Sequence, residues 1–397
     1  MPVIYMDNNA TTKVDEAVFE AMRPYFTELY GNPSSMHYFG GQVGRELVEA
    51  RERVANLLNA EPDEIIFTSC GTESDNTAIR SALEARPERK RIVTTRVEHP
   101  AVLSLCKFLE KRKGYDVVFL GVDERGNLDM DEVREAVTKD TAVVSVMWAN
   151  NETGVIYPVE EIAQICRERD VLMHTDAVQA VGKVPIDVRA TSFDMLALSG
   201  HKLHAPKGVG ALFVRRKSPF RPLIVGGHQE GGRRAGTENV ASVIGLGKAC
   251  ELASDNIGHE NSEVRALRDK LQDGLLVSVP DSVLNGDPDR RLPNTANISF
   301  GYVEGEAILL MMDQVGVCAS SGSACTSGSL EPSHVLRAMG VPFTFAHGSI
   351  RFSLSRYNTE REVDFVLENM PKIIENLRKM SPFNAETGLS GKPACTC

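Results

Sequence analysis

Residues 141–176 read TAVVSVMWANNETGVIYPVEEIAQICRERDVLMHTD. Thr141 to Trp148 and Val171 to Asp176 are nearly continuous apolar runs of strand length, and Val159 to Arg169 between them carries the amphipathic pattern of a helix. A strand polar on alternate positions has one wet face, whereas strands as apolar as these are covered on both sides. A strand, a crossover helix and a second such strand form the repeating unit of a parallel sheet sandwiched between helices.

The same rhythm extends in both directions. EIIFTS (Glu64 to Ser69), RIVTTR (Arg91 to Arg96) and DVVFLGV (Asp116 to Val122) precede the unit, and DMLALS (Asp194 to Ser199) and GALFVRR (Gly210 to Arg216) follow it. Helical patterns at Pro100 to Lys113 and Asp129 to Thr138 separate several of them. These seven candidate strands predict an α/β fold built on a mainly parallel seven-stranded sheet flanked by helices. A helix is expected from Val240 to Ala253, and the polar tract SDNIGHENSE (Ser254 to Glu263) is read as a domain junction. Beyond it come a long helix, a few strands and a final helix from Thr359 to Met380, the pattern of a smaller α+β domain. The tail from Ser381 to Cys397 lacks periodicity and is expected to be mobile.

Composition narrows the class. With 397 residues the chain can bury a large core, and 42% hydrophobic with 25% charged residues is ordinary for a globular protein. A formal net charge of -10 argues against a nucleic-acid surface. The basic clusters Arg86 to Arg91 and Arg215 to Lys217 read as solvated ends of elements. No leader pattern opens the sequence and its longest apolar run, Ala307 to Met312, is too short for a bilayer, so a cytoplasmic protein without membrane partners is expected. Eight cysteines at irregular spacings, none in a C-x-x-C pair, suggest reduced thiols.

In open parallel sheets ligands bind beyond the carboxyl ends of the strands. After EIIFTS comes Cys70-Gly71-Thr72 and a helix, a turn able to cradle phosphate or simply to cap. His99 and Pro100 follow a strand, where a lone histidine is more often a cap or a surface residue than a ligand contact. Asp176 ends a strand, with Gln179 shortly after; N-capping is again the plain alternative for the aspartate. Ser199, His201 and Lys202 follow an almost purely apolar strand, where desolvation lowers a lysine's pKa and makes it a nucleophile toward aldehydes. A phosphate turn, a strand-end aspartate for a pyridine nitrogen and a strand-end lysine together describe a pyridoxal 5'-phosphate (PLP) site. His201 and His204 as metal ligands lack a third donor at recognisable spacing. Cys318 ends an apolar run and is expected to be buried and inert, whereas Cys325 lies in the Ser/Gly-rich stretch SSGSACTSGS, which core packing does not explain.

With these residues in place the chain resembles the cysteine desulfurases of the NifS/IscS type, which are fold-type I PLP enzymes of the class-V aminotransferase family. The resemblance runs from YMDNNATT (Tyr5 to Thr12) to RFSLSRYNTE (Arg351 to Glu360) through NPSS, EHPAV, WANNETG, HTDAVQAVG, SGHK, RAGTEN and SGSACTSGSLEPSHVL in family order. It implies an N-terminal segment (1–14) packing with the small domain, a PLP-binding domain over 15–258, a small domain over 259–380 carrying the cysteine loop, and a tail over 381–397. It also implies that Lys202 carries PLP as a Schiff base and moves the proton at the substrate Cα. Asp176 would pair with the ring nitrogen, His99 stack on the ring, and Gln179 bond the phenolic oxygen. Gly71, Thr72, Ser199 and His201 would hold the phosphate, with Thr237 reaching the partner subunit's cofactor. Asn151 and Arg351 would take the carboxylate of L-cysteine, and Cys325 would receive its sulfur as a persulfide, leaving alanine.

By the same resemblance the enzyme is a homodimer needing no catalytic metal, which passes sulfur to an iron–sulfur scaffold of the NifU/IscU type. Cys70, where many relatives carry glycine, and the HAPKG wording lean toward the nitrogen-fixation branch. The tail differs from the ending associated with scaffold docking in the housekeeping branch, and Cys395 and Cys397 have no assigned role. Competing readings are a selenocysteine lyase, an aminotransferase, or a catalytically idle PLP-binding scaffold.

Overall fold

The computed structural model describes residues 3–321 and 332–381. Twelve strands appear among them: β1 (Ile4–Tyr5), β2 (Ile65–Thr68), β3 (Arg91–Thr95), β4 (Asp116–Leu120), β5 (Thr141–Ser145), β6 (Leu172–Asp176), β7 (Met195–Ser199), β8 (Gly210–Val214), β9 (Ser282–Leu284), β10 (Thr295–Phe300), β11 (Val317–Cys318) and β12 (Ser349–Ser353). The seven expected strands form one sheet in the order β2-β8-β7-β6-β5-β3-β4. Every residue of β5, β6, β7 and β8 is buried, while edge strand β4 is largely half-exposed. Two apolar clusters cover the sheet, one centred on residues such as Val144, Leu196 and Phe213, the other on Ile92, Val143 and Leu212. Neighbouring residues of one strand thus belong to opposite clusters, as the pleat requires.

Only β8 runs against its neighbours, antiparallel to both β2 and β7. Two reversals return β2 to the direction of β3, β4, β5, β6 and β7. The carboxyl ends of six strands therefore lie along one edge of the sheet, and this places the site.

The helix Pro100–Lys113 shows why local sequence was readable. Pro100 occupies its first position, His99 Nδ1 caps it by accepting from Ala101 N, three basic residues fill its last turn, and Gly114 follows in the left-handed region at φ 70°. The polar tract Ser254 to Glu263 behaves differently from an ordinary break. The helix Val240–His259 runs into it and passes through a π-helical turn, Glu260–Val264, into the helix Arg265–Ser278. The helical run continues there although apolar periodicity lapses; Glu260 is buried, and the charges of Lys183 and Arg356 oppose the rise in its pKa that burial causes.

A third apolar cluster joins Val264, Leu271 and Leu275 to β10, β12 and the helix Glu360–Met380, and Met6 belongs to it. β1 pairs with β11, and Asn8 and Asn9 bond Ser353 of β12. Val335, Leu336, Met339 and Ala346 pack instead with the cluster on the main sheet. The basic clusters are paired: Arg86 and Arg89 with Asp170, Arg91 with Asp116, and Arg216 with Asp63. No described helix is long and apolar enough to cross a membrane.

Candidate active site

At the shared strand edge opens a cavity of about 310 Å³ lined by Asn9, Ala10, Cys70, Gly71, Thr72, Asp75, His99, Met147, Asn151, Asp176, Val178, Gln179, Ser199, His201, Lys202 and Arg351. Ten of the twelve residues singled out from the sequence are among them. Thr237 is not; it lies on an exposed loop outside this chain's cavity. Cys325 lies outside the described residues, as do Cys395 and Cys397. Cys318, in β11, is half-buried rather than buried; burial and nearby Asp313 and Asp7 raise its thiol pKa.

The floor of the cavity suits a phosphate. The helix Gly71–Ala85 begins there, and Cys70 at its N-cap offers no side-chain acceptor. Its first amides are therefore available to an anion. Thr72 stands beside them, and Ser199 Oγ is buried without a hydrogen-bond partner. A Cβ on Gly71 would lie 2.8 Å from Val178 Cγ2, so this close approach requires glycine. An orphaned hydroxyl, open helix amides and a glycine-only contact fit the phosphate of PLP.

The rest of the lining fits the ring and aldehyde. Asp176 ends β6 and accepts from Val178 N at 2.9 Å. Burial raises its carboxyl pKa, while the charges of His99 and Lys202 oppose the rise. His99 combines both roles open to it in sequence: its Nδ1 caps a helix and its ring lines the cavity, with burial lowering its pKa. His201 is pushed down to about 4 by burial and by the positive charge of Lys202, and pairs through Nδ1 with Thr11 Oγ1 at 3.1 Å. It is a neutral donor or acceptor at physiological pH. Lys202 Nζ donates to the carbonyl of Ala10 at 2.8 Å and to that of Asn9. His204 bonds the Lys13 carbonyl and meets the Tyr357 ring edge-on, so it is no partner for His201.

Arg351 is 4% exposed and reaches the cavity from β12. It donates to Asp7 Oδ1 at 2.8 Å and to the Asn151 carbonyl at 2.9 Å, and its Nε has no partner. Sequence reasoning missed Asn9, whose carbonyl and side chain join the N-terminal segment to the site. It also missed Asp75, buried one turn into the Gly71–Ala85 helix with its Oδ1 3.4 Å from His174 Nε2. Burial, with Asp176 and Glu98 nearby, raises the Asp75 pKa well above the usual range. A carboxylate three residues after a threonine looks like surface helix; only its position under the sheet edge marks it.

A family model described as Aminotransferase class-V matches residues 4–366. The cysteine desulfurase NifS of Azotobacter vinelandii is 61% identical over 389 residues, which are 98% of this chain and 96% of that protein. A cysteine desulfurase of Gluconacetobacter diazotrophicus is 62% identical, covering 96% of each chain. Among solved structures, one described as a NifS-like protein superposes with a TM-score of 0.89 at 39% identity, covering 94% of this chain and all of that one. Another, described as SspA in complex with cysteine, gives 0.79 at 36% identity over 90% of this chain and all of its own.

Proposed function

Because the chain belongs to the class-V aminotransferase family, among relatives of the NifS type, we propose that its cavity removes sulfur from L-cysteine with PLP, giving alanine and a persulfide on Cys325. The observation that carries this is the convergence of Asp176, Ser199, Thr72 and Lys202 on one cavity that Arg351 also enters. PLP, when bound, supplies an electron sink for negative charge at the substrate Cα.

The chain's own residues do the rest. Gly71, Thr72, Ser199 and His201 would hold the phosphate, and Asp176 would keep the ring nitrogen protonated. Arg351 and Asn151 bind the substrate carboxylate, Arg351 with the planar fork that a lysine lacks. Lys202 would hold the cofactor through its amine and would carry the proton at the substrate Cα. The Cys325 thiolate attacks the substrate sulfur; a sulfur–sulfur bond forms, the Cβ–sulfur bond breaks, and Cβ takes a proton to become the methyl of alanine. Cysteine and one enzyme thiol thus become alanine and one persulfide, with no external oxidant.

Exposed apolar side chains at Tyr30, Met36, Tyr38 and Val225 support a homodimer, in which the exposed Thr237 completes the partner subunit's phosphate site. We propose that the outgoing sulfur passes to an iron–sulfur scaffold of the NifU/IscU type in the cytoplasm, as the sequence's resemblance to the NifS/IscS type implies.

Mass spectrometry after L-cysteine treatment tests the reading. One added sulfur on Cys325 and release of alanine are expected. Sulfur release persisting undiminished in Cys325→Ala defeats the transfer step and favours a lyase that needs no acceptor thiol.

A further inference from the structure

Lys183 is a buried cation to which the chemistry above gives no task. It closes the turn after β6, seven residues beyond Asp176, and is 7% exposed. Its Nζ donates to the backbone oxygen and to Oε1 of Gln179, both at 3.2 Å. An ammonium only donates, so this contact decides which end of the Gln179 amide is the oxygen. The NH2 end is turned the other way and donates to the Asn9 carbonyl at 3.0 Å, the same carbonyl that accepts from Lys202.

The backbone of Lys183 is itself gripped. Gly182 before it adopts φ +73°, and a Cβ there would come within 2.5 Å of Leu203. Asn261 Nδ2 donates to the Lys183 carbonyl at 2.8 Å while also bonding the Ile257 carbonyl at 2.9 Å. Asn261 belongs to the π-helical turn Glu260–Val264, and Glu260 in that turn is 7% exposed. Burial pushes the Lys183 ammonium down to about 8, the Glu260 charge opposes this, and Arg351 adds to it. Burying a lysine is costly unless partners hold it. Here the backbone oxygen and side-chain amide of Gln179 hold it, and the charge of Glu260 from the helical bridge favours its ammonium form.

We infer that Lys183 is a positioning residue that locks the Gln179 amide with its NH2 end toward the cavity, where it donates to the phenolic oxygen of bound PLP, and that it ties this setting to the turn joining the two long helices. The inference rests on the PLP reading above.

The test uses holoenzyme and the visible band of its bound cofactor. Lys183→Met removes a positive charge and frees the amide to rotate; both changes favour the protonated cofactor, so the pH midpoint of the band rises by about half a unit or more. In a Gln179→Leu background the same substitution moves the midpoint by clearly less, because only the loss of charge remains. An unmoved midpoint in Lys183→Met, or equal shifts in both backgrounds, overturns the inference while leaving the PLP reading intact. A wild-type chain that forms no visible band with PLP overturns both. A crystal structure of wild-type holoenzyme tests the contact directly, whether or not the variant folds. Lys183 Nζ within hydrogen-bond distance of Gln179 Oε1 supports the inference, and a separation beyond about 3.5 Å refutes it.

Discussion

Glu98 immediately precedes His99 and is fully buried. Its Oε1 accepts from Thr95 Oγ1 at 2.9 Å and from Met147 N at 3.0 Å, but its Oε2 has no partner. Burial pushes the carboxyl from 4.5 up to about 8, against those two hydrogen bonds and with a smaller push from Asp176. A raised acid binds its proton more tightly when folded. Its contribution to stability is therefore complete below 4.5 and is lost as pH rises through the folded value of about 8. Within that window one extra bound proton means a loss of about 1.4 kcal/mol per pH unit, on the order of 5 kcal/mol across the window. Counting protons avoids any need for reversible unfolding. At about pH 6, urea unfolding of wild type in weak buffer should release about one proton more per chain than unfolding of Glu98→Gln. At about pH 9.5 the difference should nearly vanish. Equal proton counts at both pH values would mean that Glu98 is ionised in the folded chain, and the burial argument would be wrong.

Three further outcomes are expected. Gly71→Ala places a methyl 2.8 Å from Val178 Cγ2 and should weaken PLP binding about tenfold by titration of the apoenzyme, with Val178→Ala restoring much of it. Arg51 holds Glu230, whose side chain is 5% exposed, through two contacts of 2.6 and 2.7 Å. Arg51→Met should cost about 3–5 kcal/mol, read as a lower thermal midpoint, and adding Glu230→Gln should recover part of it. Arg351→Lys should raise KM for cysteine about tenfold or more while leaving the cofactor band in place; an unchanged KM would remove Arg351 from the carboxylate site.

Strands and most helices were legible because their signals are local. Continuous apolar runs marked β5, β6, β7 and β8, and Pro100 and Gly114 bracket their helix. The strand ends were legible too, and with them Thr72, Asp176, Ser199 and Lys202, which line one cavity. The π-helical turn at Glu260–Val264 was not, because a buried glutamate inside a polar tract gives no apolar period to mark a continuing helix. Nor were Asn9, Asp75 and Lys183: each looks like an ordinary polar residue until distant segments surround it.

By itself, then, the sequence determined the α/β order of elements and the chemistry carried at each strand end, since hydrophobic period and turn residues act over a few positions. Only the tertiary structure decided that antiparallel β8 returns β2 to the common direction, so that six strand ends share one edge. It also decided that Arg351, from a different sheet, enters the same cavity. Those outcomes depend on packing between segments hundreds of residues apart, and no local pattern encodes which side chains burial will leave facing one another.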